Sequence, residues 1–184
     1  MSVFQRQTHP VYFLYGSNMN PEQIASRCGA AEPLGAARLA DFRLAFFGRS
    51  AVWDGAEEAA VPQEGDEVWG ALYRLTFEQA DRLDEWQGVR PDGCGPYFLF
   101  PVDAVDLHGH SHAALLYRKD FCGEPGLPSD AQLDYIVAGA VAQGLPDAYV
   151  ERLRSLPARK ASYAVPRKDT PRRGLLSIRC SGCG

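Results

Sequence analysis

Long apolar runs, a leader-like N-terminus and regularly spaced cysteines are all missing from this sequence of 184 residues. No run of about 18 apolar residues occurs, which argues against a membrane-spanning helix. The N-terminus has no basic stretch followed by an apolar core, so we expect no signal peptide and a cytoplasmic location. The five cysteines, at positions 28, 94, 122, 180 and 183, are odd in number and scattered, and they do not suggest a disulfide framework.

Basic residues are scarce outside the C-terminal segment. The chain has 19 Lys and Arg against 23 Asp and Glu. Residues 158–184 hold seven of these basic residues and one acid, which leaves 12 basic and 22 acidic residues in the remainder. A basic tail can bind nucleic acid or fold back onto an acidic body. We expect the second, because the body lacks the basic surface of a nucleic-acid-binding protein.

The composition otherwise predicts one globular domain. Hydrophobic residues make up 46% of the chain and charged residues 23%, both ordinary values. This length suits a single core and leaves little room for two. We therefore expect one domain over residues 1–157 and an extended basic tail over residues 158–184.

Strands are predicted where short runs of β-branched and aromatic residues stand between turn residues. Such runs occupy residues 11–15, 42–47, 67–75, 97–105 and 113–118. The last two are expected to pair as a hairpin. Hairpins with interposed helices predict an α/β (α+β) fold, in which helices flank a small, mixed, mostly antiparallel and barrel-like sheet.

Helix starts are marked by capping residues. Asn20 before Pro21 predicts a short helix that ends near residue 27. Two capping boxes, in which Thr or Ser is followed three residues later by Gln, predict two longer helices. They are Thr76 with Gln79, and Ser129 with Gln132. A further helix is predicted between residues 146 and 157.

Residues 15–19, which we call the YGSNM loop, connect the first strand to the first helix. Gly16 and Asn18 tolerate left-handed backbone. Successive amides in such a turn can form an anion-binding nest, to which the next helix adds its dipole. A carboxylate would suit this nest. Local chemistry alone favours the alternative, an ordinary strand-to-helix turn.

Five segments, taken in order, resemble the gamma-glutamylcyclotransferases and their AIG2-like relatives. After YGSNM come ARLADFRL, GDEVWG, LDEWQGV and the stretch from LPS to GLP, at residues 37–44, 65–70, 83–89 and 127–146. Tyr97 and Tyr117 fall where the family has binding-site tyrosines. Each segment alone is weak evidence, but the ordered set covers about residues 11–157. The resemblance implies that family's fold.

The resemblance also implies a reaction. The α-amine of a gamma-glutamyl amine or peptide attacks its own γ-carbonyl, so that 5-oxoproline forms and the amine leaves. Neither a cofactor nor a metal is needed. The expected partner is a small molecule, and neither a membrane nor a nucleic acid. By resemblance, the substrate-binding residues are Tyr15, Gly16, Ser17, Asn18, Met19, Tyr97 and Tyr117, with the loop holding the α-carboxylate.

Gln87 stands where the family has its general acid/base glutamate. An amide can hold similar hydrogen bonds but cannot transfer a proton. Three explanations stay open: the natural protein lost turnover and only binds or regulates, another acid took over, or an engineered exchange traps the substrate. Asp84 lies on roughly the same helix face. We interpret it as an ordinary surface or helix-end carboxylate.

Two further clusters resemble metal or redox motifs. His108, His110 and His112 alternate, as three ligands on one strand face would. Small residues between them predict a solvated hairpin tip instead. Cys180 and Cys183 form a lone CxxC, which supplies only two ligands. We expect a frayed tail there and no metal site at either place.

Overall fold

The computed structural model describes residues 9–119 and 122–167, which form five strands and four helices. The strands are β1 (Val11–Leu14), β2 (Glu32–Ser50), β3 (Gly55–Arg74), β4 (Tyr97–Asp106) and β5 (Ser111–Lys119). The helices are α1 (Pro21–Cys28), α2 (Phe77–Gln87), α3 (Asp130–Ala142) and α4 (Asp147–Arg154). A 3-10 turn occupies Gly16–Met19. Within the described ranges, no helix is both long and apolar enough to cross a membrane.

The strands close into a barrel in the order β1-β3-β2-β4-β5. Four neighbouring pairs are antiparallel, and β5 pairs with β1 in parallel to complete the ring. Closure pairs the strands around the ring, so the barrel has no open edge. The predicted fold, a mixed and mostly antiparallel barrel with flanking helices, is confirmed.

The hairpin of β2 and β3 is much longer than the sequence predicts. Only the apolar runs 42–47 and 67–75 are apparent as strands, whereas β2 has 19 residues and β3 has 20. The first part of β3 escapes prediction because two acidic residues, Glu57 and Glu58, interrupt its apolar run. That part of β3 carries a central residue of the site described below.

Two apolar clusters lie on opposite faces of the strands. Phe13 belongs to a cluster that draws almost entirely on the strands. Its neighbours Tyr12 and Leu14 belong to the other cluster, which joins the sheet to residues of all four helices. This division follows from the alternation of side chains along a strand. The helices therefore pack on one face of β1, beside the YGSNM loop.

The predicted helix starts are confirmed, with one difference. Thr76 and Gln79 form a reciprocal capping box. The Ser129 hydroxyl also accepts from the Gln132 amide, at 3.1 Å. The Gln132 side chain, however, donates to Glu58 at 2.8 Å instead of returning to the helix start. The second capping box was therefore wrong in its return half, because the Gln132 side chain extends to Glu58 and its oxygen does not accept from the Ser129 amide.

The described part of the basic tail folds back onto the body, as predicted. The buried carboxylate of Asp54 accepts hydrogen bonds from Arg159 and from the amide and hydroxyl of Ser162. The Tyr163 hydroxyl and the Arg167 amide donate to backbone carbonyls of residues 51 and 52. The remaining tail, with Cys180 and Cys183, lies outside the described residues.

The histidine segment forms the predicted hairpin tip. Asp106 accepts from the backbone amides of His108 and His110, and its second oxygen lies 2.9 Å from Nε2 of His112. The described residues contain no group of three His, Cys, Asp or Glu side chains that could hold a metal ion. The hairpin is thus held by one carboxylate.

Candidate active site at the YGSNM loop

The YGSNM loop is buried and follows β1 directly. Gly16 has φ 59°, in the left-handed region that glycine adopts without strain. The turn that follows is stabilised by a hydrogen bond from the Asn18 amide to the Tyr15 carbonyl, at 3.2 Å. Ser17 and Asn18 are 2% and 8% exposed. The Ser17 amide takes no part in this bond and donates to a side chain of β3 instead.

Glu58 of β3 occupies the position in front of that amide. Its Oε1 accepts from the Ser17 amide at 3.0 Å and closely contacts the Ser17 hydroxyl. Its Oε2 accepts from Nε2 of Gln132 at 2.8 Å. Glu58 is 7% exposed, and no described Lys or Arg lies within 4.0 Å of its carboxylate. The Ser17 amide, in the loop that the resemblance assigns to a substrate carboxylate, therefore binds the chain's own carboxylate.

Glycine is required at position 16 for a second reason. A Cβ atom added to Gly16 would lie 2.8 Å from Cγ of Glu58, closer than side chains approach. The side chain of Glu58 thus lies directly on the backbone of the loop. Sequence reasoning finds the unusual backbone of Gly16 but not this contact.

Two predicted site tyrosines hold the strand segment that carries Glu58. The Tyr15 hydroxyl accepts from the Ala60 amide and donates to the Tyr117 carbonyl, both at 3.0 Å. The Tyr97 hydroxyl donates to the carbonyl of Glu58 at 3.1 Å. Burial raises the pKa of both phenols well above their usual range. They are therefore neutral donors at physiological pH.

Tyr117 binds Asp84. Its hydroxyl donates to Oδ1 of Asp84 at 2.6 Å, and the Tyr12 hydroxyl makes a longer contact of 3.5 Å. Burial raises the pKa of Asp84, although the two tyrosine hydrogen bonds oppose the shift. Asp84 is half-buried and is not the solvated helix-end carboxylate that we inferred from the sequence. Sequence spacing along α2 cannot reveal a partner on β5.

Arg27 of α1 connects the loop to the end of α2. Its Nη1 donates to Oδ1 of Asn18 at 2.5 Å, and its guanidinium lies 5.2 Å from the ring centroid of Trp86. Burial lowers the pKa of Arg27, while the negative charge of Glu58 acts in the opposite direction. No described carboxylate lies within 4.0 Å of it. Gln87, half-buried, follows Trp86 as the last residue of α2.

Of the predicted site residues, the structure brings Tyr15, Ser17 and Tyr97 together around β3. Gln87 follows Trp86, whose ring lies near Arg27, and Arg27 in turn binds Asn18 of the loop. Sequence reasoning missed Glu58, Gln132 and Arg27. The one signal for Glu58 is its spacing from Ala56 and Ala60, which would share a face with it if the segment were a strand.

Two surface depressions lie away from the loop. One is lined by Glu67 and Arg152, each of which is ion-paired with another residue. The other lies beside Phe46 and is mainly apolar. Neither holds a buried, unpaired charge. The loop, which is bound by both Glu58 and Arg27, is therefore the better candidate for chemistry.

The chain is similar in sequence to a known protein family and to characterised relatives. The AIG2-like family matches residues 67–153. The gamma-glutamylcyclotransferase of Homo sapiens is 32% identical over 150 residues, which cover 79% of this chain and 78% of that protein. The gamma-glutamylcyclotransferase of Mus musculus has the same identity and coverage.

Solved structures agree with the sequence comparison. A gamma-glutamyl cyclotransferase structure is similar with a TM-score of 0.78 and 31% identity, over 85% of this chain and 92% of that one. A human protein titled uncharacterized protein loc79017 gives a TM-score of 0.79 and 29% identity, over 86% and 94%. The predicted resemblance is confirmed, and the chain belongs to the gamma-glutamylcyclotransferase family.

Proposed function

We propose that this protein cyclises the gamma-glutamyl group of an amine or peptide to 5-oxoproline and releases the amine. The main support is that two charged side chains bind the YGSNM loop, the buried Glu58 carboxylate and the half-buried Arg27 guanidinium. They complement the ammonium and carboxylate of an α-amino acid, the head group of a gamma-glutamyl compound. Family membership supports the same reaction class, which requires no cofactor.

Arg27 is the group that we assign to the substrate's α-carboxylate. It has no carboxylate partner among the described residues, and it is held in place by Asn18 and by the ring of Trp86. A fixed guanidinium binds a carboxylate strongly and loses little freedom in doing so. The YGSNM loop would then act indirectly, because its Ser17 amide already serves Glu58.

The tyrosines and Gln87 complete the proposed binding site. The hydroxyls of Tyr97 and Tyr117 donate internally, which leaves each an acceptor position for a ligand. By family resemblance, Gln87 would hydrogen-bond the substrate near its γ-carbonyl. The reaction joins two ends of one molecule, so holding the folded substrate supplies much of the rate enhancement.

A second function from a different class is a binding or regulatory protein that does not turn over its ligand. Gln87 favours this alternative, because the family's proton-transfer position carries an amide. The two functions share the site and differ only in whether the ligand is converted.

The test is an assay of purified protein against a panel of gamma-glutamyl amino acids, amines and short peptides. Mass spectrometry measures 5-oxoproline and free amine, and calorimetry measures binding. We expect equal amounts of both products from at least one compound, and none from its N-acetylated form, whose nitrogen cannot attack. Binding without product would favour the regulatory alternative. Absence of both would reject the assigned ligand class.

A further inference from the structure

The proposed cyclotransferase function, on which this assignment rests, requires proton transfers that an amide at position 87 cannot perform. We propose that Glu58 is the general acid and base of this site. The carboxylate is thus supplied by β3, instead of by the end of α2.

The hydrogen bonds of Glu58 leave it one free acceptor position. A carboxylate has about four lone-pair positions. Ser17 fills two of them on Oε1, and Gln132 fills one on Oε2. The remaining position on Oε2 fits one N–H of an α-ammonium. The hydrogen bond from Tyr97 to the Glu58 carbonyl also fixes the strand beneath the side chain.

Glu58 is buried and has no ion-pair partner among the described residues, unlike its neighbour Glu57. Glu57 is ion-paired with Lys119. Glu58 is nearly buried, and its hydrogen-bond donors are all neutral. Such a burial is costly unless the charge is compensated. A cationic substrate group would supply the missing charge.

With Glu58 as the proton carrier, the protons and bonds of the reaction balance without any co-reactant. The carboxylate accepts a proton from the α-ammonium, and the free amine attacks the γ-carbonyl carbon to form the new C–N bond. The bond from that carbon to the leaving nitrogen then breaks. Two protons leave the attacking nitrogen in all, and two reach the leaving nitrogen. Glu58 carries them and ends as a carboxylate.

A purely structural role for Glu58 is the competing explanation. In that role the carboxylate would only cap the 3-10 turn through Ser17. Glu58→Gln separates the two roles, since an amide oxygen still accepts from Ser17. The amide of Gln132 can turn over, so that its Oε1, which has no hydrogen-bond partner, accepts from the introduced amide. The variant should therefore fold.

The experiment compares wild type, Glu58→Gln, the double variant Glu58→Gln with Gln87→Glu, and the control Glu64→Gln at an exposed position of the same strand. Each is assayed for 5-oxoproline release, substrate binding and Tm. We expect Glu58→Gln to lose about 10²–10⁴-fold in kcat with Tm nearly unchanged. Binding should weaken roughly 10–150-fold as well, because the amide no longer pairs its charge with the α-ammonium. The double variant should regain at least about tenfold, because it returns a carboxylate to the family position.

Three outcomes would overturn the assignment. Glu58→Gln could keep kcat within about threefold of wild type, a change too small for loss of an acid/base. It could lose activity only together with a large fall in Tm, which would indicate a structural cap. The double variant could remain at the level of Glu58→Gln. In each case wild-type turnover leaves the proposed function standing, whereas failure of wild type on the whole panel rejects both proposals.

Discussion

Gly16 is the residue at which backbone conformation and site geometry meet. Its φ of 59° and its contact with Glu58 each exclude a side chain. Gly48 provides a matched comparison, because its φ is 61° but a Cβ there would meet no atom within 4 Å. The two glycines therefore separate the cost of backbone strain from the cost of displacing Glu58.

We expect Gly48→Ala to destabilise the protein by about 1–2 kcal/mol, the usual cost of a left-handed non-glycine residue. Gly16→Ala should cost more, and it should also lower the kcat of cyclisation at least about tenfold through displacement of the proposed acid/base. Urea denaturation and the 5-oxoproline assay measure the two effects. Equal stability losses with unchanged activity would contradict the contact between Gly16 and Glu58.

The positive charge of Arg27 can be tested by a single substitution in the same way. Replacing it by Gln removes the positive charge that we assign to the α-carboxylate. A hydrogen bond to a charged group contributes about 1.5–3 kcal/mol, so Arg27→Gln should raise KM roughly 10–150-fold while kcat changes much less. Arg82→Gln, at an exposed ion pair of α2, should leave both constants unchanged. A fall in kcat at constant KM would reject this role for Arg27.

At the scale of elements, the tail segment and the β2–β3 hairpin are held together by Asp54. Hydrogen bonds from the side chain and amide of Ser162, followed by Arg159, lower the pKa of Asp54 to about 2. A lowered pKa means that the folded state favours the carboxylate. The resulting stability is present above the ordinary value of 3.8 and is lost as the pH falls through about 2.

Asp54→Asn should therefore be less stable than wild type at neutral pH. The difference in the free energy of unfolding should stay constant above about pH 4 and shrink as the pH falls toward 2, since the wild-type carboxyl is then protonated as well. Urea denaturation followed by tryptophan fluorescence is the measurement. Asp103→Asn, at an exposed carboxylate, is the control. A difference that grows on acidification would contradict the account of this contact.

Local sequence signals predicted the elements better than the long-range contacts. The helix starts at Asn20 and Thr76 are visible because the capping residues lie within three positions of their targets. The start of β3 is not visible, since the acids at 57 and 58 resemble those of a solvated loop. The spacing of Ser129 and Gln132 predicted a capping box. The actual partner of the Gln132 side chain, Glu58, lies 74 positions away and gives no local signal.

At the scale of the whole molecule, ordered family segments identified the barrel and the region of the site. They did not identify the charged groups, because Glu58 and Arg27 reach the YGSNM loop only when β3 and α1 pack against it. The family pattern directed attention to Gln87, where the expected acid is missing. The domain boundary at residue 157 and the cytoplasmic location stay predictions.

The most direct test of the site is a crystal structure of Glu58→Gln soaked with a gamma-glutamyl compound that wild type converts. We expect intact ligand at the YGSNM loop, with its α-nitrogen within about 3.2 Å of the side chain at position 58 and its α-carboxylate bound by Arg27. A ligand bound elsewhere, or one whose α-nitrogen faces Gln87 and whose carboxylate lies away from Arg27, would contradict the account.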